Sequence, residues 1–243
     1  MVMTAPSLEP VNLAATKTEP FLRRRHLALA LASLAHAPMT TVSASAVMAW
    51  IGARAWSAEV ATLDAVSLLV FPAFVAWLAF DVLDTHAEVT LLPRRWRDLG
   101  LVFGIWWVGL ELIAIGAAWN PTQDDLAQAQ WWFTAFAPDG TLRIGWACAT
   151  MLAHATAEEI VHRGLLLRAL EGYMKPIRAL LVHAVVFELV HAFVYGYALT
   201  GGRLLPAIMM GVAFQRTRSI GVPTLLHFAH NMLLLVVAWY AVR

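Results

Sequence analysis

The chain has 243 residues, of which 60% are hydrophobic and 14% are charged, and its formal net charge at pH 7 is +1. Soluble globular domains carry roughly 25% charged residues, so this composition excludes an ordinary soluble domain, and the near-neutral charge argues against a nucleic-acid-binding protein. The single cysteine, Cys148, excludes an intramolecular disulfide and a cysteine-based zinc site.

The N-terminal region combines a polar segment with the first apolar run. Residues 1–22 contain proline and lack hydrophobic periodicity, which predicts a disordered cytoplasmic tail. Three arginines at 23–25 precede an apolar run over about 27–52. A signal peptide cleaved near Ala37 has a similar pattern, but apolar and small residues continue past that point. We therefore expect an uncleaved first span.

Six further apolar segments follow, most of them close to the ~20 residues that a helix needs to cross a bilayer. Backbone groups in lipid must hydrogen-bond within their own segment, so these segments are predicted to be helices. The predicted fold is an all-α, polytopic transmembrane helix bundle of about seven spans. The six segments cover 65–83, 100–119, 144–167, 179–197, 204–215 and 220–240.

The basic residues predict the orientation of the chain. With a cytoplasmic N-terminus and seven spans, all Lys and Arg residues fall inside except Arg54, Arg143, Arg203 and Arg243. This distribution predicts a multi-pass protein of the plasma (inner) membrane. The chain then divides into the tail at 1–22, accessory transmembrane helices with an extracytoplasmic loop at 23–143, and a transmembrane core at 144–243.

Ionisable side chains lie within the last predicted spans, where each costs roughly 2.5–3.5 kcal/mol at mid-bilayer. We expect them to converge on a shared hydrated cavity. Residues four apart share a helix face, so Glu159 is predicted to pair with Arg163, whereas Glu158 points elsewhere. The polar residues are His154, Glu158, Glu159, His162 and Arg163 in the fourth span, His183, Glu188 and His191 in the fifth, and His227, His230 and Asn231 in the seventh.

The chemistry available to these side chains is limited. No thiol lies near them and no serine lies in the middle of these spans, which argues against a Ser or Cys nucleophile. A carboxylate and a histidine can activate water by general base catalysis, and His and Asn can donate hydrogen bonds to an oxyanion. The set fits amide hydrolysis by direct attack of water.

Three short motifs follow one another on these spans. Glu158 to Arg163 (EEIVHR) matches EExxxR, Phe187 to His191 (FELVH) matches FxxxH, and His227 to Asn231 (HFAHN) matches HxxxN. In this order they resemble the motifs of the CAAX protease and bacteriocin-processing (CPBP, or Abi) family of intramembrane proteases. The resemblance covers about residues 144–240.

The resemblance implies a role for each motif residue. Glu158 would act as the general base on water, and His191 would help to hold and polarise it. His227 and Asn231 would line the oxyanion site. Glu159 and Arg163, the pair predicted above, would order the cavity.

The resemblance also implies an intramembrane endopeptidase whose catalytic core is the transmembrane core at 144–243. Its partners would be the lipid bilayer and a membrane-anchored protein or peptide substrate, with no nucleic acid. Prenylated CAAX-like tails, bacteriocin leaders and membrane-anchored sorting signals all stay open as substrates. No cofactor is required on this interpretation, although zinc stays possible.

Three alternatives compete with this interpretation. Glu159 to His162 and Glu188 to His191 both have the E-x-x-H pattern of di-iron bundles. Such a site also needs a lone glutamate from each of two other helices, and Glu111 is the only obvious candidate. A mononuclear zinc site would use His191, His227 and a glutamate. A transporter or a catalytically silent scaffold would also keep intramembrane Glu and His, although no inverted repeat supports a transporter.

Six of the other histidines fall into two groups. Those far from motif residues are expected to be satisfied polar residues of the core or of interfaces: His36, His86 and His183. Those that share a face or a turn with motif residues stay open between structural and catalytic roles: His154, His162 and His230.

Overall fold

The computed structural model describes residues 143–195, 199 and 203–242, together with isolated positions between 27 and 136. The predictions for the tail at 1–22 lie outside the described residues. The same holds for most of the first three spans and for nearly all of the loop at 120–143. The fold is therefore described mainly for the core at 144–242.

Helices make up this core. Helix α1 (Ile144–Glu159) continues through a π-helical segment (Ile160–Leu167) into the short α2 (Arg168–Glu171), and α3 (Pro176–Tyr195), α4 (Leu204–Thr217) and α5 (Gly221–Val242) follow. No strand occurs among the described residues. The prediction of an all-helical protein is confirmed at this level, and the four helical runs coincide with the last four predicted segments to within about four residues at each end.

Local chemistry explains where these helices begin and end. Helix α3 begins with Pro176, which has no backbone N–H. An N–H at the first position of a helix has no partner within the helix, so its absence costs no hydrogen bond. Helix α4 ends at Arg218, whose φ of 51° is left-handed. An ion pair of 2.6 Å between Arg218 Nη1 and Glu171 Oε2 holds this turn against the end of α2. The hydroxyl of Ser219 then accepts the N–H of Val222 at 3.3 Å, at the start of α5.

The helices pack in pairs. Helix α1 packs mainly on α5, α3 packs mainly on α4, and α4 also contacts α5. Gly211 allows the approach of α4 to its neighbours, because a Cβ at this position would collide with the side chain of Leu180 and contact that of Leu167. The apolar cluster at this end of the core contains Leu165, Leu166, Leu167, Leu170, Ala179, Leu180, Phe214 and Ile220.

One helix in the described part of the chain is long and apolar enough to cross a membrane, over Pro176–Phe193, and Gly221–Val236 is a shorter apolar helix. Every fourth residue from Ile177 to Phe193 on α3 is a large apolar side chain that is at least 37% exposed. Such a stripe fits contact with acyl chains. One span agrees with a membrane protein, and the number of seven spans and their orientation stay predictions.

A residue of the third predicted span also packs on the core. Trp106 is 1% exposed, and it belongs to a buried cluster with Met210 and Ala213 of α4 and Val222 and Leu226 of α5. The region that precedes the core therefore contributes to its packing at this point.

Candidate active site

The two adjacent glutamates lie at the end of α1, where the π-helical segment begins. Glu159 and Arg163 are both fully buried, and Arg163 Nη1 donates to Glu159 Oε1 at 2.8 Å. Arg163 Nη2 donates to the carbonyl oxygen of Ala207 on α4 at 3.3 Å. The ion pair predicted from helix periodicity is present, and it also ties the π-helical segment to α4.

A third group shares the same carboxylate oxygen. His227 Nδ1 lies 2.9 Å from Glu159 Oε1, across 68 positions of sequence. Because Glu159 is ion-paired with Arg163 and its carboxylate can only accept, Nδ1 of His227 carries the hydrogen. Glu159 therefore fixes the Nδ1 edge of the His227 ring, and Nε2 lies on the opposite edge, away from Glu159.

That other edge faces Glu158. Glu158 Oε2 lies 3.8 Å from His227 Nε2 and 3.6 Å from His191 Nε2. The side chains of Glu158, His191 and His227 are 19%, 12% and 10% exposed, and the Oε2 atom of Glu158 is itself buried. Both distances are too long for direct hydrogen bonds between these atoms.

The orientation of His191 follows from α3. Its Nδ1 lies 2.9 Å from the carbonyl oxygen of Phe187, one turn earlier. A carbonyl oxygen only accepts, so Nδ1 donates and Nε2 of the neutral ring carries a lone pair. The ring of Phe187 packs on the imidazole with centroids 4.2 Å apart. As a result, Nε2 of His191 is the atom that approaches Glu158.

Two other motif residues are placed differently. Asn231 is half-buried one turn after His227 on α5, and it makes no hydrogen bond to another described residue. Glu188 is buried and accepts the backbone N–H of Arg203 at 3.0 Å, so it contributes to the N-terminus of α4. Of the six predicted site residues, the structure brings together Glu158, Glu159, Arg163, His191 and His227.

The histidines outside the motif positions have distinct surroundings. His183 is fully buried, as expected of a core residue, and neither of its ring nitrogens has a hydrogen-bond partner among the described residues. The ring of His162 packs edge-on against Phe187 at 4.8 Å and lies 5.7 Å from that of His183. The ring of His230 packs edge-on against that of Trp106, with centroids 6.1 Å apart. His154 interacts electrostatically with Glu158.

The metal alternatives stay predictions, and His191, His227 and Glu158, which have the residue types of the zinc alternative, lie close together. No group of three or more His, Cys, Asp or Glu residues within the described ranges has the arrangement needed to hold a metal ion. Glu159 and Glu188, which the di-iron pattern requires as ligands, are engaged by Arg163 and by a backbone N–H respectively. The remaining di-iron candidate, Glu111, lies outside the described residues.

Two contacts of the site cannot be predicted from the helical periodicity of the sequence. The contact between Glu159 and His227 joins helices that are far apart in sequence. The ring of Phe187 contacts Arg163 as well as His191, with the guanidinium carbon 4.8 Å from its centroid. The FxxxH motif contains this phenylalanine, but the spacing predicts only that it shares a face with His191.

A comparison with known protein families adds an independent finding. Residues 140–233 match the family model described as type II CAAX prenyl endopeptidase Rce1-like. No curated protein and no solved structure matches the chain. The matched range contains all three motifs, and the resemblance inferred from them is confirmed.

Proposed function

We propose that this protein cleaves a peptide bond in a membrane-anchored protein or peptide tail, because its residues 140–233 match the type II CAAX prenyl endopeptidase Rce1-like family model. The nucleophile is a water molecule that Glu158 and His191 activate. The observation that carries this proposal is the convergence of Glu158 Oε2 with Nε2 of His191 at 3.6 Å and Nε2 of His227 at 3.8 Å.

The acceptor atoms of Glu158 and His191 lie close enough to hold the same water molecule as nucleophile. With Nδ1 of His191 bonded to a backbone carbonyl, both Glu158 Oε2 and His191 Nε2 act as acceptors. A water between them donates one hydrogen to each and keeps an oxygen lone pair for the substrate carbonyl. Glu158 is the general base, and His191 orients the water and raises its electron density.

The reaction then proceeds through a tetrahedral intermediate. The water oxygen bonds to the carbonyl carbon, and one of its protons moves to Glu158. The same proton passes from Glu158 to the leaving nitrogen as the C–N bond breaks, and a carboxyl group and an amine are released. No other reactant is consumed, because the atoms of one water molecule account for both products.

Donors for the oxyanion come from α5. His227 uses Nδ1 to contact Glu159, so its Nε2 donates to the oxyanion only when the ring is protonated. The amide of Asn231, one turn away, supplies a second donor that carries no charge. Removing a donor of this kind from an oxyanion site typically lowers kcat by about 10²–10³-fold.

The substrate class rests on the family and on the surface of the core. The apolar stripe on α3 fits acyl chains, so a substrate that is itself anchored in the membrane reaches the site without leaving the bilayer. Prenylated tails, bacteriocin leaders and sorting signals share this anchoring. They differ in sequence near the scissile bond, which the cleavage assay below distinguishes.

The test compares purified wild-type protein with Glu158→Gln on membrane-anchored peptides of these three classes. Glu158→Gln is expected to lower kcat by about 10²–10⁴-fold, because the amide cannot take the proton of water. Glu171→Gln is the matched control, since Glu171 bonds Arg218 and Gln215 at the far end of the core. Full cleavage by Glu158→Gln would contradict the mechanism.

Two further measurements separate the competing functions. If the protein is a catalytically silent scaffold, the wild type and Glu158→Gln would bind a peptide equally well, and neither would cleave it. Zinc or iron dependence would appear as loss of cleavage in the presence of a chelator and recovery on addition of the metal. We expect cleavage that resists the chelator.

A further inference from the structure

Phe187 lies among the charged and imidazole groups of the site, although the mechanism above gives its ring no role. The ring is 4% exposed. Its centroid lies 4.2 Å from the ring centroid of His191 and 4.8 Å from that of His162. The guanidinium carbon of Arg163 lies 4.8 Å from the same centroid. The ring therefore contacts both Arg163, which is paired with Glu159, and the imidazole of His191.

We propose that Phe187 is a positioning residue of the active site. Its aromatic face holds the guanidinium of Arg163, and its ring and carbonyl together direct the imidazole of His191 toward Glu158. This inference rests on the proposed function, since it concerns the same hydrolytic site.

The first part of the argument concerns Arg163. Its guanidinium is fully buried, with Nη1 bonded to Glu159 and Nη2 bonded to the carbonyl of Ala207, whereas Nε has no hydrogen-bond partner in the described part of the chain. A cation removed from water is attracted by the negative face of an aromatic ring. The ring of Phe187 thus supplies part of the solvation that water would otherwise give to Arg163, and an aliphatic side chain of similar size does not.

The second part concerns His191. The hydrogen bond from Nδ1 to the carbonyl of Phe187 fixes the position of one ring nitrogen but does not by itself fix the plane of the imidazole. The stacked ring, inclined by 35° to the imidazole, fixes the plane in which Nε2 lies. Because Nε2 lies 3.6 Å from Glu158 Oε2, a small rotation of the ring changes the position of Nε2 relative to the general base and so the position of a water molecule held by both groups.

The experiment compares Phe187→Leu with Phe214→Leu in the full-length protein in nanodiscs. Phe214 is a matched control, because it is fully buried and also lies under an arginine, with Arg218 Cζ 5.9 Å from its centroid. Both substitutions remove the same atoms from a buried aromatic site, but only Phe187 contacts His191. Both variants are expected to lose thermal stability.

The kinetic readout separates positioning from packing. Phe187→Leu is expected to lower kcat on the order of 10²-fold, because a displacement of about 1 Å in a catalytic site has that effect, while KM stays close to the wild-type value. Phe214→Leu is expected to keep the wild-type kcat at temperatures where it is folded. Equal kcat values for the two variants would overturn the proposal.

A series of fluorinated phenylalanines at position 187 tests the electrostatic part without removing the ring. Successive fluorine atoms weaken the negative face with little change in size, so kcat is expected to fall stepwise across the series. A flat series would contradict the proposal even if Phe187→Leu were inactive. Failure of the proposed function would appear differently, as absence of cleavage by the wild type or as activity of Glu158→Gln.

Discussion

Replacing Arg163 by methionine gives the most direct test of the buried charge network. The substitution keeps an unbranched side chain of similar length but removes the cation from Glu159, which is itself fully buried. Glu159 then keeps His227 as its hydrogen-bond partner. Breaking a buried ion pair on one side typically costs about 3–5 kcal/mol, because a charge is left without compensation.

Glu159→Gln is expected to cost less than Arg163→Met. Its amide oxygen still accepts from Arg163, and the cation keeps the carbonyl of Ala207 and the ring of Phe187. A lost charge-assisted hydrogen bond of this kind costs about 1.5–3 kcal/mol. The double variant removes both charges, so it is expected to be more stable than Arg163→Met alone.

The free energy of unfolding can be measured in mixed micelles with increasing SDS, followed by the fluorescence of the 11 tryptophans of the chain. The double-mutant cycle is expected to give a coupling energy of about 1–3 kcal/mol between the two positions. A double variant whose destabilisation equals the sum of the two single ones would refute the view that these side chains act as a buried pair.

Two other predictions concern packing and capping. Gly211→Ala is expected to destabilise the core by about 1–3 kcal/mol because the new methyl group collides with Leu180, whereas Gly145→Ala, with nothing within 4 Å of its Cβ, is expected to be neutral or stabilising. Equal thermal shifts for the two would contradict the close approach of α4. Glu188→Gln is expected to lower the free energy of unfolding by about 0.5–2 kcal/mol, because Glu188 accepts the backbone N–H of Arg203. The variant is expected to keep the wild-type kcat. A loss of activity that is restored by added iron would favour the di-iron alternative.

Much of the core could be predicted from local patterns. Apolar segments about 20 residues long predict helices wherever they occur, because the backbone has no other means of hydrogen bonding in lipid. The pair of Glu159 and Arg163 could be predicted for a related reason, since residues four apart are neighbours on any helix. Both inferences use distances within one element.

The surroundings of His162 and His183 could not be predicted in this way. His162 lies within the π-helical segment, and its ring packs toward α3 against Phe187. His183 was expected to have hydrogen-bond partners, but its position is set by the rotation of α3 against its neighbours, and no described residue bonds either ring nitrogen. Helix periodicity carries no information about that rotation.

The sequence by itself therefore determined which segments are helical, which polar residues share a face and which family the motifs resemble. Only the tertiary structure decided that Glu159 serves both Arg163 and His227, and that His191 and His227 meet at Glu158. The physical reason is that a face is a property of one helix, whereas a site depends on how several helices are turned and spaced. Contacts far apart in sequence, such as that of Gly211 with Leu180, set this spacing.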